Sequence, residues 1–363
     1  VTGKVDKLDV ALTADIELQN GRPKATLRNN SVSVDSDDID IDLSGLAGDL
    51  LNAVDNLGPV QNLLQSELED AIKDAVKDNI APALDSLFSS LDVRSLGSRF
   101  NVPTLSGSGT LPVDFNLRFS RLGVTSPRAL LGIGTQFTTP KVQNTAPSPG
   151  VPLPKGHILL EPNTNKAVGV SIHVGILNDV LHALWRGGMF DATIGQSLLG
   201  SNAPKGTKAN LKVNLPPVVA SKGSGNVELM LGGATLELVY PGLFDKPITL
   251  DVGLVARTGV SLKNGDSLEF NQLTLTEFYF SPRNISMDSQ NRQVIEEFLQ
   301  NLFQGVVDRS LNQGLPAMPI PSFKISGSLA NYGLPRGEQF GITQPGLGST
   351  RRHFILEGNF GKQ

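Results

Sequence analysis

Cysteine is absent from all 363 residues, which removes a disulfide framework, a thiolate metal site and a cysteine nucleophile together. The compartment stays open, because exported proteins can also lack cysteine. No apolar run reaches the roughly 18 residues that a helix needs to cross a bilayer. Excess positive charge is missing too. The chain carries 31 Lys and Arg against 35 Asp and Glu, unevenly placed: residues 1–130 hold 12 against 19 and residues 131–363 hold 19 against 16. Neither half is the basic footprint of a nucleic-acid binder, and Lys205-Gly206-Thr207-Lys208 with Lys212 is too sparse for an anionic membrane surface.

Motifs of catalysis are equally scarce. There is no Gly-x-Ser-x-Gly elbow, no His-Glu-x-x-His, no phosphate loop and no Gly-x-Gly-x-x-Gly fingerprint. The four histidines are His157, His173, His182 and His353, and no motif sets an acid or a nucleophile beside His182, so it is read as structural. Asp38, Asp40 and Asp42 alternate with Ile39 and Ile41, which puts three carboxylates on one strand face. Their spacing does not fit a calcium loop; a solvated face that discourages edge pairing is the simpler reading. Sequons at Asn29 and Asn284 would matter only in a eukaryotic secretory setting.

What is abundant is alternation. Leu8, Val10 and Leu12, then Ile16 and Leu18, then Val32 to Leu43 read as strands, with Asn20-Gly21 as a hairpin turn. Strands are also expected over Phe100 to Leu105, Leu111 to Phe119, Val168 to Val174, Ala209 to Phe280 with a turn at Asn264-Gly265, Phe323 to Leu329 and His353 to Phe360. The start, directly in strand-like sequence and without a signal peptide, reads as a processed or trimmed end. Prolines 140, 147, 149, 152 and 154 mark an extended inter-domain linker.

Four helices interrupt the strands. A short one covers Leu46 to Leu57. A long one, Val60 to Leu91, repeats an apolar residue every fourth position, and at about 1.5 Å per residue would reach roughly 48 Å, kinked at Pro82. A third runs from Gly175 to Arg186, closed by Gly187-Gly188, and a fourth from Asp288 to Asn312, stopped by Gly314-Leu315-Pro316. Strand, helix, many strands, helix, strands argues for an α+β fold in which a strongly curved antiparallel sheet wraps long helices. Such stripes ordinarily mean core; a ligand pocket needs more specific support.

Several segments in order resemble the family of bactericidal/permeability-increasing protein, lipopolysaccharide-binding protein and lipid-transfer proteins, the tubular lipid-binding (TULIP) superfamily. They are Gly21-Arg22-Pro23-Lys24-Ala25-Thr26 with the following strand, Asn79-Ile80-Ala81-Pro82-Ala83-Leu84, the proline-rich run to Pro154, Val168 to Ile194 with Asn178, Trp185 and Gly187-Gly188-Met189-Phe190, and Leu311-Asn312-Gln313-Gly314-Leu315-Pro316 through Pro321. The resemblance implies a boomerang of two tandem domains joined by a central sheet: 1–135, lacking its opening helix, a linker over 136–156, and 157–363. It implies lipid bound between helix and sheet, lined by Ile176, Val180, Leu181, Leu184, Phe298, Leu302, Phe303 and Val306 in the second half and by Leu64, Leu68, Ile72 and Val76 in the first. The first pocket is expected to be open, shallow or completed by upstream chain or a protein partner. The animal members' first-half disulfide cannot form here, and the acidic first half speaks against endotoxin killing. The expectation is a non-enzymatic, exported lipid-binding or lipid-transfer protein, secreted, periplasmic or at the cell surface. It would need no cofactor or metal beyond a bound phospholipid or fatty acid, would touch membrane surfaces transiently and would bind no nucleic acid. The alternative is a structural or interaction module with the same fold and a packed interior.

Overall fold

A computed structural model describes residues 2–5, 9–10, 14–27, 32–33, 39–42, 66–67, 70–71, 74–75, 78, 97–105, 109–125, 128–152, 165–195, 203–265, 267–271, 273–312, 318–320, 322–324 and 337–362. The chain forms two compact units. Unit 1 takes Val1–Asp92, Phe119–Ile133 and Ile325–Gly337; unit 2 takes Val93–Arg118, Gly134–Lys324 and Glu338–Gln363.

Unit 1 is built on antiparallel pairs. β1 (Thr2–Val5) pairs with β6 (Ile39–Asp42), placing Lys4 opposite Asp40 in register, and β2 (Asp9–Val10) pairs with β5 (Val32–Ser33). β3 (Ala14–Gln19) and β4 (Arg22–Leu27) form the expected hairpin, whose Asn20 and Gly21 have φ of 54° and 71°, the left-handed pair that a tight two-residue turn demands. Residues 66, 67, 70, 71, 74, 75 and 78 are helical and exposed, at the spacing of one helix face. Leu64, Leu68, Ile72 and Val76, the helix over Leu46 to Leu57 and Pro82 lie outside the described residues.

Unit 2 is organised by two long strands, β14 (Asn226–Val239) and β15 (Ile248–Lys263), paired from end to end. Each serves two partners in turn. β14 takes β13 (Val218–Gly223) along its first part and β12 (Lys208–Val213) along its second; β15 takes β17 (Thr274–Pro282) first and β16 (Ser267–Phe270) second. On β14 the change of partner coincides with a bulge between Leu231 and Ala234. Gly233 there has φ of 63°, and the side chain of Leu215 occupies the space a Cβ would need. The bulge bends the strand and curls the sheet. β11 (Ala192–Ile194) extends the sheet beyond β12, and β18 (Met318–Pro319) beyond β16. Strict alternation along β12, exposed then buried three times over, assigns one face of the curl to the core.

A second sheet of unit 2 runs β10 (Val168–His173), β21 (His353–Lys362), β20 (Gln339–Ser349), β19 (Phe323–Lys324). β7 (Ser98–Pro103) pairs with β8 (Thr110–Thr125), which with β9 (Arg128–Thr138) supplies residues to both units. Helix α1 (Gly175–Arg186) has the bounds the sequence predicts. It ends where Gly187 N–H donates to Ala183 O and Gly188, at φ of 79°, donates to Trp185 O. Helix α2 (Ser289–Asn312) begins at Asp288, whose Oδ1 accepts the Asn291 N–H at 2.7 Å as a side-chain cap. The architecture is α+β and sheet-rich, with one continuous apolar core in unit 2.

Candidate functional site

The two helices of unit 2 are held to the sheet in opposite ways. α1 packs on β13 and has no exposed residue. Asn178, buried on its inner face, grips the backbone of Val219: Oδ1 accepts the Val219 N–H at 2.6 Å, and Nδ2 donates to Val219 O and to Pro152 O, each at 3.2 Å. The amide thereby completes a strand edge that would otherwise be buried unpaired. Trp185, the only tryptophan, is fully buried and donates its indole N–H to Val213 O at 2.7 Å.

The proline-rich segment read as a linker is described as far as Pro152 and lies along α1 as a strap. Gln143 and Asn144 N–H both donate to Arg186 O, and the Arg186 guanidinium donates to Asn144 O and Ala146 O. Asn144 itself is buried, donating to Val213 O and to Asp191. At the other end of the strap, Phe137 N–H donates to Asp179.

Ser148 Oγ lies 2.7 Å from His182 Nε2, with Asp179 one turn away on the same helix. Burial pushes the Asp179 carboxyl up, and burial, then the Arg186 charge, holds His182 below its ordinary value. A nucleophilic triad needs the acid to orient the base. Here Asp179 accepts the Phe137 amide, and Ser148 Oγ accepts the Gly150 N–H at 3.1 Å, so these groups fasten the strap. Two further histidines, His173 and His353, face each other across β10 and β21 with ring centroids 4.9 Å apart. His173 Nδ1 accepts the Gly175 N–H, which places the proton of the neutral ring on Nε2.

α2 is attached differently. Its inward residues Ile295, Leu299, Leu302 and Phe303 are buried, Phe303 meets Phe278 of β17 at 5.5 Å, and half-buried Phe298 meets Tyr240 edge-on at 5.3 Å. Among the described residues, the side-chain hydrogen bonds from Ser289 to Asn301 stay within the helix and its cap, Asn291 with Asp288 and Gln293 with Glu297. A cation–π contact of Arg292 over Phe280 joins α2 to β17. None of the buried polar residues described, Asn144, Asn178, Thr207, Glu228, Thr258 and His353, belongs to α2 or β17.

The lining residues expected in the second half therefore share one core but not one spot. Leu181 and Leu184 are buried, with Ile176 and Val180 packed against the same core; Leu302 and Phe303 are buried with Phe298 beside them; the Val306 side chain lies outside the described residues. α1 meets β13 and α2 meets β17, and Val219, Leu229, Ala256 and Leu275 form one register row across β13, β14, β15 and β17. Three strand steps, about 14 Å, separate the two helix seats. At the α2 seat an open recess of about 350 Å³ lies between helix and strand, lined by Leu275, Thr276, Glu277, Phe278, Gln300, Asn301 and Gln304. Sequence reasoning missed it. Its signal was there as three amides on the polar side of α2, two of them one turn apart.

No protein-family model matches the chain, and no curated protein does. Among solved structures, a crystal structure of lipopolysaccharide binding protein is 15% identical, covers 97% of this chain and 74% of its own, and superposes with a TM-score of 0.39. A crystal structure of P47 of Clostridium botulinum E1 is 11% identical, covers 96% and 78%, and gives 0.31. These likenesses are distant and loose.

Proposed function

We propose that the protein is a non-enzymatic, exported lipid-binding or lipid-transfer protein of two tandem domains, in which unit 2 takes the acyl part of a phospholipid or other acyl lipid between α2 and the curled sheet. The observation that carries the reading is the apolar attachment of α2. An acyl chain entering that seam exchanges one apolar contact for another and breaks no buried side-chain hydrogen bond shown among the described residues, while each methylene removed from water contributes about 0.8 kcal/mol. α1 could not move so cheaply, because Asn178, Trp185 and the strap tie it to buried backbone groups. The in-order resemblance of segments to the tubular lipid-binding family agrees with this use of the fold.

The competing reading, a structural or interaction module, draws on the complete burial of Ile295 and Leu299, as in an interior already filled by its own side chains. Native mass spectrometry with organic extraction separates the two. A stoichiometric lipid, carried through purification or taken up from mixed liposomes, supports a carrier. A bare mass that stays unchanged after incubation with liposomes overturns it in favour of the module.

A further inference from the structure

The recess at the α2 seat has a chemistry of its own. Gln300 and Gln304 stand one turn apart on α2 with Asn301 beside them, and Thr276 and Glu277 face them from β17. The amides of Gln300 and Asn301 present donors and acceptors side by side, and the carboxylate and hydroxyl add further acceptors. Gln300 and Asn301 are exposed and make no side-chain hydrogen bond with any described residue. Among the described residues that line the recess there is no lysine, arginine or histidine to offset the charge of a phosphate, and Glu277 repels one. Beneath the polar rim lie Leu275 and half-buried Phe278, whose ring continues to Phe303 and the apolar face of α2. A volume of about 350 Å³ is at the small end of ligand sites, roughly 300–1,000 Å³, which suits a head group and not acyl chains.

We infer that the recess between β17 and α2 selects an uncharged, hydroxyl-rich head group, such as that of a glycolipid, over an anionic one. The inference rests on the lipid-binding reading above and assigns the head-group end of the same seam. Amides pair with neighbouring hydroxyls as both donor and acceptor, and the accessible part of half-buried Phe278 and Leu275, on the floor of the recess, receives the apolar face of a sugar ring.

The test is uptake by the full chain from phosphatidylcholine vesicles containing equal mole fractions of monogalactosyl diacylglycerol and phosphatidylglycerol, with bound lipid identified by mass. The galactolipid should be enriched about tenfold over phosphatidylglycerol. Gln300→Ala with Asn301→Ala should cut that enrichment about tenfold, as expected for two hydrogen bonds of ordinary strength. Both positions are exposed, and unchanged Trp185 emission would show that the variant remains folded. Gln300→Lys should shift the preference toward phosphatidylglycerol. Equal uptake of both lipids, or a preference of the unmodified protein for phosphatidylglycerol, overturns the head-group assignment and leaves lipid binding standing. Uptake of neither lipid nor phosphatidylcholine overturns both. Soluble methyl galactoside binding as tightly as the galactolipid would reassign the recess to a free sugar and overturn its head-group role.

Discussion

Replacing Asn178 by alanine should loosen α1 more than any substitution on its partly exposed face. The side chain satisfies both the N–H and the C=O of Val219, and it reaches Pro152 O on the strap. Alanine leaves two buried backbone groups without partners, at about 1–3 kcal/mol each. A total of about 2–6 kcal/mol follows, and about 2–5 kcal/mol after a small discount for partial relaxation, because Asn178 and Val219 are both buried. For a unit of this size that is a drop of about 4–20 °C in melting temperature. Trp185, two turns further along α1 and the only tryptophan, reports the transition of unit 2 by fluorescence without interference from unit 1. Asn178→Asp adds a sign test. The carboxylate still accepts the Val219 N–H but faces two carbonyl oxygens, so its pKa is raised in the folded state. Its deficit against the unmodified protein should therefore shrink as the pH falls through that pKa and the protonated acid donates to one carbonyl. A melting temperature for Asn178→Ala within about 2 °C of the unmodified protein would refute the claim that this amide completes the strand edge.

Three further outcomes follow from named contacts. His182 lies 5.6 Å from the Trp185 ring, and burial holds it below its ordinary 6.5, so tryptophan emission should be quenched on acidification with a midpoint below pH 6.5; His182→Gln should abolish the transition. His353 is likewise depressed, by burial first and then by the Arg352 charge, with His173 facing it. The unfolded chain then binds protons more readily than the folded one, so chemical denaturation should give a stability contribution that is constant above about pH 6.5, falls below it, and is flattened by His353→Gln. A Cβ at Gly253 would lie 2.1 Å from the ring of its cross-strand neighbour Tyr279, which is 58% exposed and can swing outward. Gly253→Ala should therefore cost only about 1 kcal/mol, and little of that should remain in a Tyr279→Ala background; a large loss surviving in the double variant would argue for backbone strain.

Local signals were legible in the sequence where local physics decides the structure. Asn20-Gly21 and Asn264-Gly265 take the left-handed angles their composition demands, and Gly175 to Arg186 is a helix with the expected ends. Alternation in β12 and β15 announces which residues enter the core. The strap was not legible. Five prolines read as a spacer because the strap's side-chain hydrogen bonds go to Asn178, His182 and Arg186, partners 26 to 42 positions away that no local pattern reveals. The site was legible in part. Periodicity identified the inward faces of both helices, but the register across β13, β14, β15 and β17 decides that they sit apart. The amides of the recess looked like ordinary solvated helix surface until Thr276 and Glu277 stood opposite them.

The double partnering of β14 and β15 also orders how unit 2 forms. These strands are joined by eight residues, 240–247, and shorter connections still, two residues from β13 to β14 and three from β15 to β16, join the strands that flank them, so four strands pair by closing small loops, whereas β12 and β17 pair across an intervening strand and each need the edge that β14 or β15 then offers. The meander β13–β14–β15–β16 is then the seed on which β12 and β17 dock independently, one on each side. We expect Leu236→Ala and Leu250→Ala, directly opposed in the meander, to slow refolding in proportion to the stability they remove, and Leu211→Ala in β12 to act mainly on the unfolding rate. Refolding kinetics in which Leu211→Ala is the slower folder would place the seed elsewhere. If the order holds, a flaw in one docked strand leaves the seed and the other docked strand competent to assemble, which allows β12 and β17 to vary in sequence while the four strands of the seed do not.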